Sequence, residues 1–136
     1  MKRLLALFGL LMCTIAYSGN ASVYAQTTGE IAKGNCTNCA SVCQKTLDYC
    51  NTKKGKYGEA SVTNSLKDCI TACKMTADFL NRGSVGMQPK ACDLTVQACN
   101  ECAKTMDKFT SDNAMQACAN ECRKCVGNCQ KLSSAK

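Results

Sequence analysis

The sequence predicts an all-α protein, an antiparallel up-down-up-down four-helix bundle with a cysteine-lined core. Three observations favour this fold. Apolar residues and cysteines recur at alternating spacings of three and four residues, which is the period of an α-helix. Glycine, proline, serine and aspartate divide the chain into four such segments. The connections are short, so consecutive helices should be antiparallel neighbours.

The first predicted helix runs from about Glu30 or Asn35 to Thr52, and Lys54-Gly55 ends it. Residues 26–29 before it and residues 133–136 at the other end of the chain are expected to fray. The helix contains four cysteines, Cys36, Cys39, Cys43 and Cys50.

The second predicted helix covers about Ser61 to Asn81, and Gly83 lies beyond its end. Its inward stripe has a 4-3-4-3-4 spacing and consists of Val62, Leu66, Cys69, Cys73, Thr76 and Leu80. The third helix opens at Pro89, a favoured first helical position, and its cysteines are Cys92, Cys99 and Cys102. The fourth follows the cap candidates Ser111 and Asp112. Its stripe is Met115, Cys118, Cys122, Cys125, Cys129 and Leu132.

The register of the helices can be predicted from residue numbers, because facing residues of an antiparallel pair have a nearly constant sum. The sums agree for all four neighbouring helix pairs. They predict two central layers, Cys39/Cys73/Cys99/Cys122 and Cys43/Cys69/Cys102/Cys118. Towards one end follow Cys36/Thr76/Val96/Cys125 and Ala32/Leu80/Cys92/Cys129. Towards the other end follow Leu47/Leu66/Met106/Met115 and Cys50/Val62/Phe109/Asp112. All thirteen of these cysteines therefore have an interior place.

The first 25 residues have the pattern of a cleaved secretory signal peptide. Met1-Lys2-Arg3 is a short basic start, and an apolar run too short to span a bilayer follows. Val23-Tyr24-Ala25 has the small residues of a cleavage site. We therefore expect an exported, periplasmic or otherwise extracytoplasmic protein, with residues 26–136 as its single cysteine-rich domain. Of the 14 cysteines, Cys13 leaves with the leader.

Composition excludes several classes of function. The net charge of +7 is spread over single lysines with few aromatic residues, which is typical of a solvated surface and not of a nucleic-acid site. No segment after the leader is apolar enough to cross a membrane. Without histidine there is no imidazole base and no Cys-His nucleophile. The pattern Cys118-x3-Cys122-x2-Cys125 occurs in iron–sulfur enzymes, but here it lies within a helix stripe, so we do not expect an enzyme.

Two kinds of chemistry remain for the thiols. One is a disulfide-stapled structural or interaction protein, since exported chains meet oxidising conditions. Thirteen is an odd number, and residues three or four apart on a helix have Cβ atoms about 5–6 Å apart, too far for a disulfide. Cross-helix disulfides stay open. The other is metal binding. Thiolate and thioether ligands select Cu(I), and zinc and iron–sulfur clusters are the next candidates. Zinc would use discrete sites of four thiolates, whereas Cu(I) can share thiolates along a column.

The cysteine repeat of residues 117–129 (ACANECRKCVGNC) resembles the bacterial copper storage proteins, and so does that of residues 91–102 (ACDLTVQACNEC). The resemblance covers essentially the whole mature chain. It implies a four-helix bundle that takes up many Cu(I) ions on interior thiols. The implied ligands are Cys36, Cys39, Cys43, Cys50, Cys69, Cys73, Cys92, Cys99, Cys102, Cys118, Cys122, Cys125 and Cys129. Members of the family can place a histidine with methionines where copper enters, and this chain has none.

Met106 and Met115 are interior by spacing, where methionine is more often core filler than ligand. They share one layer just beyond the thiol column, so we also predict them as ligands at the point where copper enters. Partners compatible with the sequence are copper ions, copper donor or acceptor proteins, and further copies of the chain in a homo-oligomer. The sequence leaves open whether the protein stores copper or delivers it.

Overall fold

The computed structural model describes residues 20–134, with side chains from residue 27 onwards. This part of the chain contains four α-helices and no strand, so the all-α prediction is confirmed. The helices are α1 Asn20–Lys53, α2 Ala60–Asn81, α3 Gln88–Met106 and α4 Asn113–Ser134. One turn of 3-10 helix, Gly55–Gly58, joins α1 to α2.

Each helix packs against two neighbours. The contacts join α1 to α2, α2 to α3, α3 to α4 and α4 back to α1, so the four helices close a ring around one core. With short connections this is the predicted antiparallel four-helix bundle. Within residues 20–134, no helix combines the length and the apolar character that crossing a membrane would need.

The start of the first helix was predicted wrongly, because α1 begins at Asn20 and not near Glu30 or Asn35. Residues 26–29, expected to fray, are helical, and so are residues 133 and 134 at the end of α4, which were also expected to fray. Gly29 and Gly34 each cost the helix about 1 kcal/mol relative to alanine. Ala32 and Cys36 on the same turns are fully buried, and this tertiary packing outweighs the weak local propensity. The predicted signal peptide lies for the most part in residues 1–19, outside the described residues.

The other helix ends follow the predicted punctuation. Asp112 caps α4, since its side-chain oxygen accepts hydrogen bonds from the backbone N–H groups of Ala114 at 3.0 Å and Met115 at 3.2 Å. Gly83 ends α2 with a positive φ of 66°. The bonds from its N–H to the carbonyl of Leu80 and from Ser84 N–H to Phe79 complete a Schellman motif. The beginning of α4 and the end of α2 are therefore fixed by contacts that are local in the chain.

Candidate metal centre

The core of the bundle is built mainly of thiols. All thirteen cysteines from Cys36 to Cys129 have no exposed surface, and all are free thiols. The helices present them inward because the cysteines occupy the alternating three- and four-residue positions of each helix. Reduced cysteine packs as a small apolar residue, so the column of thiols also serves as the hydrophobic core.

The central cysteines come from all four helices and contact one another. The shortest Sγ–Sγ separations are 3.4 Å for Cys69 and Cys99, and 3.5 Å for Cys43 and Cys69. Cys39 lies 3.9 Å from both Cys99 and Cys122. Contacts within each predicted central layer therefore exist, and so do contacts between the layers. The eight central thiols form one continuous cluster.

Three overlapping groups of four thiols have all their sulfur atoms within 4.8 Å of one another. They are Cys39/Cys43/Cys69/Cys122, Cys39/Cys69/Cys73/Cys99 and Cys43/Cys102/Cys118/Cys122. The second and third groups share no residue, and the first overlaps both. A metal in one group would therefore share its ligands with a metal in the next.

A smaller group of three thiols lies towards the α1 N-terminal end. Cys36 Sγ is 3.7 Å from that of Cys125 and 3.6 Å from that of Cys129, and the three lie within 4.8 Å of one another. Cys73 Sγ is 3.9 Å from Cys125, which connects this group to the central cluster. Cys92 is fully buried on α3.

The interior places predicted for Val96, Leu80 and Asp112 were wrong. Val96 is only half-buried, and Thr95 takes the interior place, with no exposed surface. The hydroxyls of Thr95 and Thr76 are 2.8 Å apart and satisfy each other. The spacing from Cys92 to Cys99 allows either residue inside, and hydropathy favoured valine. Thr76 was already predicted in this layer, and its need for a hydrogen-bond partner could have identified Thr95. Leu80, also predicted inside, is half-buried.

The opposite end of the thiol column carries the two methionines. Met106 and Met115 are fully buried, as predicted, and the sulfur of Met115 lies 3.7 Å from Cys50 Sγ. Leu66 and Leu47 complete the methionine layer, with no and 7% exposed surface. Cys50 is thus separated from the central thiols by this layer but is in contact with a thioether.

An aromatic cap, defined as Tyr49, Tyr57 and Phe109, closes the methionine end. The ring centroids of Tyr57 and Phe109 are 4.7 Å apart, and Tyr49 meets Tyr57 edge to face at 6.0 Å. Asp112, predicted in the last interior layer, lies instead at the rim, where Oδ2 accepts hydrogen bonds from Tyr49 at 2.7 Å and Tyr57 at 3.0 Å. Sequence reasoning missed this cluster because its members are distant in the chain.

The ionisation of the site follows from these contacts. Burial alone would raise the pKa of Asp112, but hydrogen bonds from Tyr49, Tyr57 and two backbone amides outweigh it and lower the pKa. Burial raises the pKa of Cys50, and the nearby Cys118 and Asp112 add to the effect. Hydrogen bonds with Cys102 and other thiols, together with burial, raise the pKa of Cys43. A metal that binds Cys43 or Cys50 must therefore displace a thiol proton.

The only fully or nearly buried polar side chains of residues 27–134 are three threonines, Thr46, Thr76 and Thr95. No charged side chain in this range reaches the core, so thiolates must balance the charge of any metal there.

The fold and this core define a cysteine-lined metal-binding helix bundle. The chain matches the copper storage protein family over residues 25–134, and it belongs to that family. Comparison with curated proteins and with solved structures finds no match.

Proposed function

We propose that this protein stores Cu(I) in large number, on the thiolates of its thirteen core cysteines. The observation that carries the proposal is the continuity of the thiol contacts, from 3.4 Å between Cys69 and Cys99 to 3.9 Å between Cys73 and Cys125. A continuous column of thiols suits a metal ion that needs few sulfur ligands and shares them with the next ion. Membership of the copper storage protein family supports copper as the metal.

Ligand type and charge both favour the monovalent ion. Thiolates and thioethers are soft ligands, which prefer Cu(I) to divalent metals of the same row. At about 2.3 Å for each metal–sulfur bond, a metal between two sulfurs spans up to about 4.6 Å, within the reach of neighbouring core thiols. One Cu(I) for each thiolate is electrically neutral, so a loaded core needs no buried counter-ion.

Zinc is the second candidate, because two groups of four thiols share no residue. They could form two tetrahedral sites, Cys39/Cys69/Cys73/Cys99 and Cys43/Cys102/Cys118/Cys122. Each zinc with four thiolates would carry a charge of about −2 in a core where no charged side chain is buried. Two such sites would also leave Cys36, Cys50, Cys92, Cys125 and Cys129 without a role. Disulfide stapling is a third alternative, and it requires each pair of sulfurs to approach from at least 3.4 Å to about 2.05 Å.

Met106 and Met115 act in this proposal as neutral, weaker ligands that pass copper to the thiol column. Their support is the contact of Met115 with Cys50 and their burial in one layer. The aromatic cap lies at this end, on the proposed path of copper to the methionines.

The proposed setting is extracytoplasmic. It rests on the basic start, the apolar run and the cleavage site of residues 1–25. In that setting the protein would bind copper without catalysing a reaction, receive it from or release it to other copper-binding proteins, and associate with further copies of itself. The mass of the protein recovered from its host would show whether cleavage follows Ala25.

Anaerobic titration of the reduced domain with Cu(I), with thiols counted before and after, tests the function. We expect about one Cu(I) per thiol, on the order of ten or more per chain, because shared thiolates let the number of metals approach the number of ligands. A C69S/C99S variant should bind fewer ions, and a T46S variant, which changes a buried residue but removes no thiol, should bind as many as the parent. A capacity of one to three ions, or a preference for zinc in competition, would favour the four-thiolate sites instead.

A further inference from the structure

A hollow of about 220 Å³ opens on the surface at the methionine end, and three lysines line it. They are Lys53, Lys56 and Lys108, and Thr110 and Ser111 line the same hollow. All three lysines are exposed. Among the described residues, neither Lys56 nor Lys108 makes an ion pair. The lysine hollow, defined by these five residues, is therefore a small region of positive charge in which two of the ammonium groups have no acidic partner.

The aromatic cap positions two of the ammonium groups. Lys53 Nζ lies 5.0 Å from the ring centroid of Tyr49 and 5.1 Å from that of Tyr57. Lys56 Nζ lies 5.3 Å from the ring centroid of Phe109. These are distances at which a cation is attracted to the face of an aromatic ring. The positive charge is therefore held on the cap that closes the methionine end.

Asp112 is the one acidic residue among the described residues that line the hollow. Its Oδ2 accepts hydrogen bonds from Tyr49 at 2.7 Å and Tyr57 at 3.0 Å, and it lies 3.7 Å from Lys53 Nζ. These contacts offset its charge, so the field in the hollow is positive. A hollow lined by charge of one sign attracts ions of the opposite sign and repels those of its own sign. This end should therefore repel a cationic form of Cu(I) and attract an anionic one.

We propose that the lysine hollow binds the anionic complex in which Cu(I) reaches the protein, a Cu(I) bis-thiolate of a small thiol that carries carboxylates. This inference rests on the proposed function and on the entry of copper at the methionine end. The hollow is smaller than the pockets of about 300–1,000 Å³ that enclose drug-sized ligands. It therefore suits one carboxylate-bearing arm of the complex, which the lysine ammonium groups bind, while the copper lies outside the hollow.

Transfer from such a carrier requires no change in the oxidation state of copper. A Cu–S bond forms to Cys50, one Cu–S bond to the carrier breaks, and the Cys50 proton passes to the departing carrier sulfur, which leaves as a neutral thiol. The sulfur of Met115, 3.7 Å from Cys50 Sγ, then replaces the second carrier sulfur, which leaves as a thiolate. The carrier thus accepts the thiol proton itself, in a chain that has no histidine to do so.

The test compares three Cu(I) carriers that bind copper through the same thiolate group and differ in charge. Cu(I) is supplied anaerobically with an excess of mercaptopropionate, mercaptoethanol or cysteamine, whose outer groups are a carboxylate, a hydroxyl and an ammonium. The bis-thiolate complexes are then strongly negative, weakly negative and positive, in that order. Uptake by the reduced protein is followed by stopped flow at low salt. Because the three thiols also differ in acidity, each variant is compared with the parent using the same carrier.

The variant is K56Q/K108Q, which removes two exposed lysines without an ion pair and leaves Lys53 on the cap. Such surface changes should leave the fold intact. Uptake from the mercaptopropionate complex should slow about tenfold, which is the lower end of the effect of a focused field on association rates. Uptake from the mercaptoethanol complex should slow less, and uptake from the cysteamine complex should become faster. Added salt should reduce these differences because it screens exposed charges.

The matched control is K90Q/K131Q, which removes the same charge from exposed lysines near Cys92 and Cys129 at the opposite end. It should leave the three uptake rates as they are in the parent. The inference is overturned if K56Q/K108Q changes all three rates by the same factor, or if the control changes them as much. The final copper capacity, measured on the same samples, should be equal in the parent and both variants. A parent protein that binds only one to three ions would instead refute the proposed storage function, whatever the order of the rates.

Discussion

Asp112 joins three parts of the methionine end, and its replacement by alanine should destabilise the metal-free protein by about 3 kcal/mol. Its carboxylate caps α4, and a lost N-cap costs about 1 kcal/mol. Hydrogen bonds from Tyr49 and Tyr57 reach a side chain that is only 10% exposed, and each contributes about 1 kcal/mol. Lys53, 3.7 Å away and 45% exposed, adds little because water screens the pair.

Asparagine separates these contributions. The D112N variant retains a good N-cap but loses the negative charge that the tyrosines bind, so it should cost about 1 kcal/mol. The assay is urea unfolding of the reduced, metal-free protein at neutral pH. The control is D107A, which breaks the exposed ion pair of Asp107 with Arg123 and should cost less than about 0.5 kcal/mol. Equal losses for D112A and D107A, or for D112A and D112N, would refute the reasoning.

The same contacts predict the direction of a pH effect. The pKa of Asp112 is lower in the folded protein than its ordinary value of 3.8, so the unfolded chain takes up the proton at higher pH. The stabilisation is therefore complete above about pH 4 and is lost as the pH falls through the folded pKa. Acidification should cost the parent more unfolding free energy than D112N, and equal acid sensitivity would contradict the proposed hydrogen bonds.

Two further predictions concern the methionine layer and the metal-free fold. A M106L/M115L variant conserves volume, so stability and final copper capacity should change little. Copper uptake measured by stopped flow should become slower. Unchanged uptake, or slower uptake only when residues near Leu132 are changed, would place the site of copper uptake at the other end. The reduced protein without copper should be largely helical by circular dichroism, because Leu47, Leu66 and the buried thiols already form a core. A random-coil spectrum would indicate that the metal induces folding.

Most of the bundle could be predicted because several patterns agree. The stripes of α2 and α4 alternate three and four without a break, and Gly83 and Asp112 mark helix ends by chemistry that is local in the chain. The sums of residue numbers then place Cys39, Cys43 and their partners in central layers, since antiparallel helices rise equally for each residue. This redundancy is why the helices and the interior position of their thiols are confirmed together.

The wrong predictions concern positions where the sequence nearby does not decide between two structures. The beginning of α1 depended on whether the burial of Ala32 outweighs two helical glycines, and only tertiary packing decides that. Thr95 and Val96 differ by one step of about 100° around α3, and both fit the spacing of the cysteines. The hydrogen bond to Thr76 places Thr95 inside.

The sequence by itself determined the four helices, the inward thiols and the soft-ligand chemistry, because each depends on residue type and short-range spacing. Only the tertiary structure decided how the thiols are grouped and how the methionine end is closed. The continuous contacts of the central sulfurs, the group of three thiols around Cys36 and the bonds from Tyr49 and Tyr57 to Asp112 join residues far apart in the chain. Such contacts depend on the rotation and closeness of packed helices, which side-chain volumes set together and no single segment specifies.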